Sequence, residues 1–221
     1  RPSGVFTRLP NCVADMRVVS SIAFLIVVSM APIVSHATGT ILVMGDSLSA
    51  AYGIDKQSGW VALLQQRLQQ QSLGYQVVNA SISGDTTRGG LSRLPAALRR
   101  ESPAVLVLAL GANDGLRGFT PERTRDNLRM MIEQARNAGA SVLLLGIKLP
   151  ANYGSVYGEK FHRVYLDLAN EEEVHLVPFF LEGVAETREL MQADGIHPGV
   201  QAQPRILDNV WAGLAPLLNE R

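Results

Sequence analysis

Two short segments of the sequence carry side chains that together could transfer an acyl group. Ser47 stands in Gly45-Asp46-Ser47, and His197 stands three residues after Asp194. A serine hydroxyl becomes a nucleophile when a histidine removes its proton and a carboxylate orients that histidine. The sequence therefore predicts Ser47 as the nucleophile, His197 as the general base and Asp194 as the orienting carboxylate.

Acyl transfer also needs hydrogen-bond donors for the negative charge that develops on the carbonyl oxygen. Gly84 can bring its N–H close to a ligand because it has no Cβ. The side chain of Asn113 offers an amide, and the backbone N–H of Ser47 is a third donor. We expect these three groups to form an oxyanion hole.

Each of these residues has a simpler interpretation when it is taken alone. Ser47 suits the N-cap of a helix, and Gly84 and Asn113 suit ordinary turns. Asp194 and His197 suit an ion pair within a loop. The order Ser, Asp, His also occurs in α/β-hydrolases, but their G-x-S-x-G turn is absent here. Serine-based acyl transfer is the hypothesis that accounts for all five residues at once.

The elements that must position these residues alternate between strands and helices. Apolar runs of strand length stand at 41–44, 77–79, 104–110, 141–147 and 174–177. The third run is apolar on both faces, as in a central parallel strand that helices cover on each side. Strands alternating with helical patterns predict βαβ units and a mostly parallel, five-stranded sheet. Ligands bind at the carboxyl ends of the strands in such sheets, and three of the candidate residues follow a strand.

Three helices have clear signals of their own. Apolar residues recur at helical spacing over 60–68, and Thr120 followed by Pro121 is typical of a helix start. Gly139 is expected to end that second helix, and a last helix is predicted over 204–218. No repeat, low-complexity segment or linker interrupts the pattern, so the sequence predicts one folded domain.

The N-terminal segment differs from the rest of the chain. Residues 22–34 are almost wholly apolar, a run too short for a transmembrane helix, which needs about 20 residues, but typical of a signal peptide. Met16-Arg17 supplies the start and the positive charge, and Ser35-His36-Ala37 supplies small residues for a cleavage site. We therefore expect residues 1–15 to lie upstream of the signal sequence. An uncleaved membrane anchor is the alternative.

This interpretation divides the chain into an upstream extension with a signal peptide, 1–37, and the domain that carries the candidate residues, 38–221. The domain is expected to be periplasmic or secreted, with no stable membrane span after cleavage. Lys+Arg and Asp+Glu both number 20, so nothing indicates an electrostatic grip on nucleic acid. Cys12 is the only cysteine, which excludes an intrachain disulfide and cysteine-based zinc sites. We expect no metal, no cofactor and no nucleic-acid partner.

Four blocks of the sequence resemble the SGNH (GDSL-type) hydrolase family. They are GDSLS at 45–49, NASISGDT around Gly84, GAND at 111–114 and DGIHP at 194–198. The wider stretches NASISGDTTRGGLSRLP, NDGLRGF and KLPANYG are similar to its secreted acyl-CoA thioesterase I branch, also described as lysophospholipase and arylesterase. The resemblance extends over nearly the whole of the expected domain.

The resemblance implies a fold and a set of roles. The fold is a three-layer α/β/α sandwich, flavodoxin-like, with a five-stranded parallel sheet. The roles are those already assigned to the triad and to the oxyanion hole. Two positions depart from the family's pattern, since Ala51 and Ala112 stand where glycine is common. Each adds a methyl group and bears on the shape of the pocket.

The expected activity is hydrolysis of acyl esters and thioesters, small-molecule substrates, through an acyl-enzyme intermediate. Apolar loop residues favour a groove for an acyl chain: Leu116, Phe119, Leu149, Pro150 and Tyr153. A carbohydrate deacetylase of the same fold is one alternative, although a sugar site would need more aromatic and polar contacts. A phosphate-binding module built on the Gly-Asp-Ser turn is another, but the chain has no G-x-x-x-x-G-K-[ST] loop.

Overall fold

The computed structural model describes residues 1–5 and 39–219. By its internal contacts the chain divides into residues 1–34 and 35–221, and all described helices and strands belong to the second unit. The predicted signal sequence, its cleavage site and the expected domain boundary lie outside the described residues. Among the residues that are described, no helix is both long enough and apolar enough to cross a membrane.

Five strands form one parallel sheet in the order β2-β1-β3-β4-β5. They are β1 Gly39–Gly45, β2 Tyr75–Asn79, β3 Val105–Ala109, β4 Ser141–Leu145 and β5 His175–Val177. The predicted parallel sheet is confirmed. Its strand order reverses at β1 and β3, and ligands bind at such a reversal in open α/β sheets.

The sheet is covered on both faces, which explains the apolar character of its central strands. Every residue of β3 is buried, and so is the second half of β1. The six α-helices of the described residues are α1 Trp60–Gln70, α2 Thr87–Glu101, α3 Ala112–Leu116, α4 Pro121–Asn137, α5 Ser155–Glu171 and α6 Gln203–Asn219. Helix α1 packs against α6, whereas α4 packs against both α2 and α5. The result is the three-layer sandwich that the sequence led us to expect.

The helix signals at α4 are confirmed in detail. Pro121 is its first residue, and the hydroxyl of Thr120 accepts a hydrogen bond from the N–H of Arg123 at 3.4 Å. The helix ends at Asn137, two residues before Gly139, which has a φ of +82°. Glycine adopts this left-handed conformation at little cost, so it ends the helix where the sequence predicted.

The segment after β3, where Asn113 taken alone suits an ordinary turn, contains the short helix α3. Gly111 precedes that helix with a φ of +121°, and a Cβ there would lie 2.0 Å from the Tyr165 hydroxyl. That hydroxyl donates to the carbonyl of Leu110 at 3.0 Å. The close approach of the Tyr165 hydroxyl shapes the backbone at Gly111. Helix α3 begins at the next residue, and Asn113 lies in its first turn.

Candidate active site

The turn after β1 is built on Asp46. Its backbone carbonyl accepts the N–H of Ser49 at 3.2 Å, and its carboxylate oxygen Oδ1 accepts the N–H of Leu48 at 3.0 Å. Residues 47–53 form turns and no helix begins there, so the N-cap role that the sequence also allowed for Ser47 does not apply. The Ser47 side chain is half-buried at the carboxyl end of a central strand.

Ser47, His197 and Asp194 form a continuous row of hydrogen bonds. Ser47 Oγ lies 3.0 Å from His197 Nε2, and His197 Nδ1 lies 2.7 Å from Asp194 Oδ2. The other carboxylate oxygen of Asp194 accepts the backbone N–H of His197 at 3.0 Å and that of Ile196 at 2.9 Å. These hydrogen bonds, first that from the His197 N–H, lower the pKa of Asp194 to about 2. An ionised carboxylate at Nδ1 keeps the hydrogen on that nitrogen, so that Nε2 is free to accept a proton.

Asn113 is held beside this row by a buried carboxylate. Its side-chain nitrogen Nδ2 donates to Asp46 Oδ2 at 3.3 Å. Asp46 is only 1% exposed, and burial raises the pKa of its carboxyl group to about 7. The amide of Asn113 has two hydrogens, so one remains for another acceptor.

Gly84 lies in the loop after β2, which is fastened to the neighbouring strand and helix. The N–H of Ile82 donates to the carbonyl of Gly45 at 3.0 Å. The Gly84 carbonyl accepts Arg117 Nη2 at 2.9 Å, which ties this loop to the end of α3. Gly84 has a φ of +79°, a conformation that favours glycine. The backbone conformation therefore accounts for glycine at this position independently of any role in the reaction.

A cleft of about 500 Å³ opens next to Ser47, Asn113 and His197. Of the five residues that we expected to form an acyl groove, three line it: Leu116, Leu149 and Pro150. Sequence reasoning missed other apolar residues of its lining, namely Ile147, Phe179, Leu181, Met191 and Ile196. Phe179 and Leu181 lie in the segment just after β5, so their position at the carboxyl edge of the sheet was a usable signal.

The two other expected groove residues lie elsewhere. The ring of Phe119 packs under the guanidinium of Arg123, at 4.6 Å from its centroid. Tyr153 lines a separate depression between the starts of α4 and α5. Tyr153 is the last residue of a short 3-10 turn, Ala151–Tyr153. Only Ala151, at the start of that turn, lines the cleft. The place of Tyr153 in the sequence next to groove residues was therefore not enough to bring it into the cleft.

The two alanines that depart from the family's pattern have different surroundings. Ala112 lines the cleft, so its methyl group does affect the shape of the site. Ala51 instead lines a second depression, away from the cleft, and has a φ of +59°. The preference for glycine at that position follows from the backbone conformation. Among the described residues, no three His, Cys, Asp or Glu side chains form a group that could hold a metal ion.

A parallel α/β/α sandwich with a Ser–His–Asp row at the carboxyl edge of its sheet defines a class of protein, the serine-dependent hydrolases. The chain belongs to the GDSL-like lipase/acylhydrolase family, whose model matches residues 43–203. The resemblance noted from the sequence blocks is thereby confirmed.

Named relatives are similar over most of their length. The chain is 59% identical to "Esterase TesA" of Pseudomonas aeruginosa over 182 residues, which cover 82% of this chain and 90% of that protein. It is 48% identical to "Thioesterase 1/protease 1/lysophospholipase L1" of Escherichia coli K12, covering 83% of this chain and 86% of the relative.

A solved structure agrees with these relationships. Esterase EstA from Pseudoalteromonas, in a form inhibited by monoethylphosphonate, superposes with a TM-score of 0.78 at 39% identity. The match covers 81% of this chain and 98% of that one.

Proposed function

We propose that the protein hydrolyses acyl esters and thioesters through an acyl-enzyme intermediate on Ser47 Oγ. The observation that carries this proposal is the row of hydrogen bonds from Ser47 through His197 to Asp194, at 3.0 and 2.7 Å. An apolar cleft adjoins the row, and relatives named as esterase and thioesterase share most of the chain.

The first half of the reaction forms the acyl-enzyme. His197 Nε2 takes the proton of Ser47 Oγ as this oxygen attacks the carbonyl carbon of the substrate. The tetrahedral intermediate then breaks its bond to the alcohol or thiol, which leaves with the proton that His197 returns. Asp194 holds the imidazole in the required tautomer and stabilises its charged form.

The second half repeats these steps with water. His197 removes a proton from the water molecule, the water oxygen attacks the acyl carbon, and Ser47 Oγ leaves and recovers its proton. The products are a carboxylic acid and the regenerated serine. The same two side chains therefore serve both halves.

The backbone N–H groups of Ser47 and Gly84 and the amide of Asn113 are the proposed donors to the oxyanion. The hydrogen bond from Asn113 to Asp46 supports this role, because it fixes one amide hydrogen and leaves the other directed elsewhere. Gly84 is supported by its loop, which Arg117 fastens to the helix that carries Asn113.

The acyl chain of the substrate is proposed to occupy the cleft. Leu116, Leu149 and Pro150 lie along it, together with further aliphatic residues. Phe179 is the one Phe, Tyr or Trp among the residues that line it. This composition supports an acyl chain over a sugar, which would be expected to stack on several aromatic rings.

A covalent probe tests the proposal directly. An alkyl p-nitrophenyl phosphonate should add one phosphonyl group to the wild-type protein, detected by intact mass, and should not label Ser47→Ala. Turnover of acyl esters by Ser47→Ala should fall by about 10⁴- to 10⁶-fold. Retention of more than a few per cent of activity would move the nucleophile to another serine, with Ser49 and Ser83 as the candidates.

We also propose that residues 16–37 direct export to the periplasm or the medium and are cleaved after Ala37. The support is the apolar run with a basic residue before it and Ser35-His36-Ala37 behind it. N-terminal sequencing of the exported protein should begin at Thr38-Gly39-Thr40. An exported protein that still carries the apolar run would contradict this proposal.

A further inference from the structure

The hydrogen bond between Ser47 and His197 joins side chains 150 residues apart in the chain. Ser47 belongs to the turn after β1, whereas His197 belongs to the segment 190–199 that precedes α6. Asp194 is part of the same segment as His197, so their contact is local. The distance from Ser47 to His197 depends instead on how the segment is fastened to the turn.

Gln192 connects the two. Its side-chain nitrogen Nε2 donates to the carbonyl of Tyr52 at 2.8 Å and to the carbonyl of Pro198 at 3.1 Å. The backbone N–H of Gln192 donates to the carbonyl of His197 at 2.7 Å. Tyr52 in turn donates its N–H to the carbonyl of Ser47 at 3.2 Å. One residue thus bonds to the turn that bears the serine and to both His197 and the residue after it.

The surroundings of Gln192 hold its side chain in this arrangement. A Cβ on Gly53 would lie 2.2 Å from Gln192 Oε1, so the amide in this position lies closely against Gly53. The backbone carbonyl of Gln192 accepts Arg188 Nη1 at 2.9 Å and the N–H of Gly195 at 3.0 Å. Both the main chain and the side-chain amide of Gln192 are therefore fixed.

A second glutamine fastens the other end of the same segment and provides a contrast. Gln203 is 2% exposed, accepts the N–H of Trp60 at 3.0 Å and donates to the carbonyl of Gly199 at 3.2 Å. It joins the end of the segment to the first residue of α1. Gln192 is half-buried and acts next to the reacting side chains.

We propose that Gln192 is a positioning residue that holds His197 Nε2 within reach of Ser47 Oγ, a role that rests on the proposed function. If segment 190–199 moved away from the turn, the side-chain amide of Gln192 could not keep both of its hydrogen bonds, to Tyr52 and to Pro198. The ring of Tyr52 also lies on the imidazole, with centroids 4.5 Å apart, so fixing the Tyr52 backbone steadies a second contact of the base. Small displacements of catalytic groups are costly, since about 1 Å can reduce the rate about 10²-fold.

Two substitutions test the hydrogen-bond donors of the Gln192 side chain separately from the volume of that side chain. Gln192→Met keeps the length of the side chain but removes the amide, and Gln192→Glu puts a carboxylate against two carbonyl oxygens. We expect kcat to fall about 10- to 100-fold in Gln192→Met and further in Gln192→Glu, with KM within about twofold of wild type. Gln201→Met, an exposed glutamine nine residues along the chain, is the matched control and should keep the wild-type kcat.

Labelling by the phosphonate probe is the second readout, because it depends on activation of the serine and not on deacylation. Its rate in Gln192→Met should fall by the same order as kcat, while circular dichroism at the assay temperature shows folded protein. Wild-type labelling and turnover in Gln192→Met would overturn the positioning role alone. A loss of activity that equals the loss of folded protein would overturn it as well. An unlabelled and inactive wild-type protein would remove the proposed function and this inference together.

Discussion

Two carboxylates serve the same site from opposite environments. Asp46 is buried under the turn that carries Ser47, and burial raises the pKa of its carboxyl group to about 7. Asp194 lies in an exposed segment, where backbone hydrogen bonds lower the pKa of its carboxyl group to about 2. The buried group suits the positioning of a neighbouring amide, whereas the exposed group remains a charge that can face an imidazolium. Both residues are aspartates, so their different environments separate their roles.

The largest effect is expected from the exposed carboxylate. Asp194→Asn should lower kcat by about 10⁴-fold, because an amide in this position no longer selects the tautomer with its hydrogen on Nδ1. The fold should be retained, since Asp194 is exposed and an amide oxygen can still accept the N–H groups of Ile196 and His197. Steady-state kinetics together with thermal unfolding check both statements.

The pH profile of the wild-type enzyme provides the control. Activity should fall in acid, because an imidazolium at His197 cannot accept the serine proton. Asp194 should not contribute to that fall above pH 3, since its pKa is about 2 and it stays ionised. A second loss of activity near the ordinary pKa of an aspartate would contradict the lowered value.

An intermediate effect is expected at Asn113, which stands between the two regions. Asn113→Ala should reduce kcat by about 10²- to 10³-fold with little change in KM, because a bond to the oxyanion strengthens only as charge develops. Gly84→Ala should show a comparable or larger defect, since a side chain at φ +79° is strained as well. An Asn113→Ala protein that melts earlier but turns over at the wild-type rate would remove Asn113 from the site.

Much of the fold could be predicted from the sequence, but the strength of the signal differs between its strands and helices. The run 104–110 is apolar on both faces because β3 is covered on both sides, so pattern alone identified the sheet. Helix α2 had no such signal, since Gly89, Gly90 and Pro95 all disfavour a helix interior. Gly90 is there for packing, because a Cβ would lie 2.2 Å from Leu110 Cδ1.

The candidate site divides in the same way. Ser47, Asp194 and His197 could be proposed because acyl transfer requires those residue types, whatever the fold. Asp46 could not be interpreted, since its role depends on burial under a turn and on an asparagine 67 residues away. Gln192 has no local signal either, because the carbonyl of Tyr52 is 140 residues distant in the chain. Contacts of this range appear only when the sheet brings the strand ends together.

The smallest expected effect on turnover comes from the buried Asp46, and it is coupled to stability. The folded protein keeps the proton of Asp46 up to a pH of about 7, whereas the unfolded chain loses it near 3.8. This titration therefore lowers the free energy of unfolding as pH rises between those values, and the penalty is complete above about pH 7. Asp46→Asn removes the titration, so its unfolding free energy should decline less between pH 4 and 7, measured by urea denaturation. An asparagine can still accept the Leu48 N–H, but if it does so its amide nitrogen faces the amide nitrogen of Asn113, and kcat should fall about tenfold. A variant with the wild-type kcat and the wild-type pH dependence of stability would show that Asp46 is ionised in the fold and does not position Asn113.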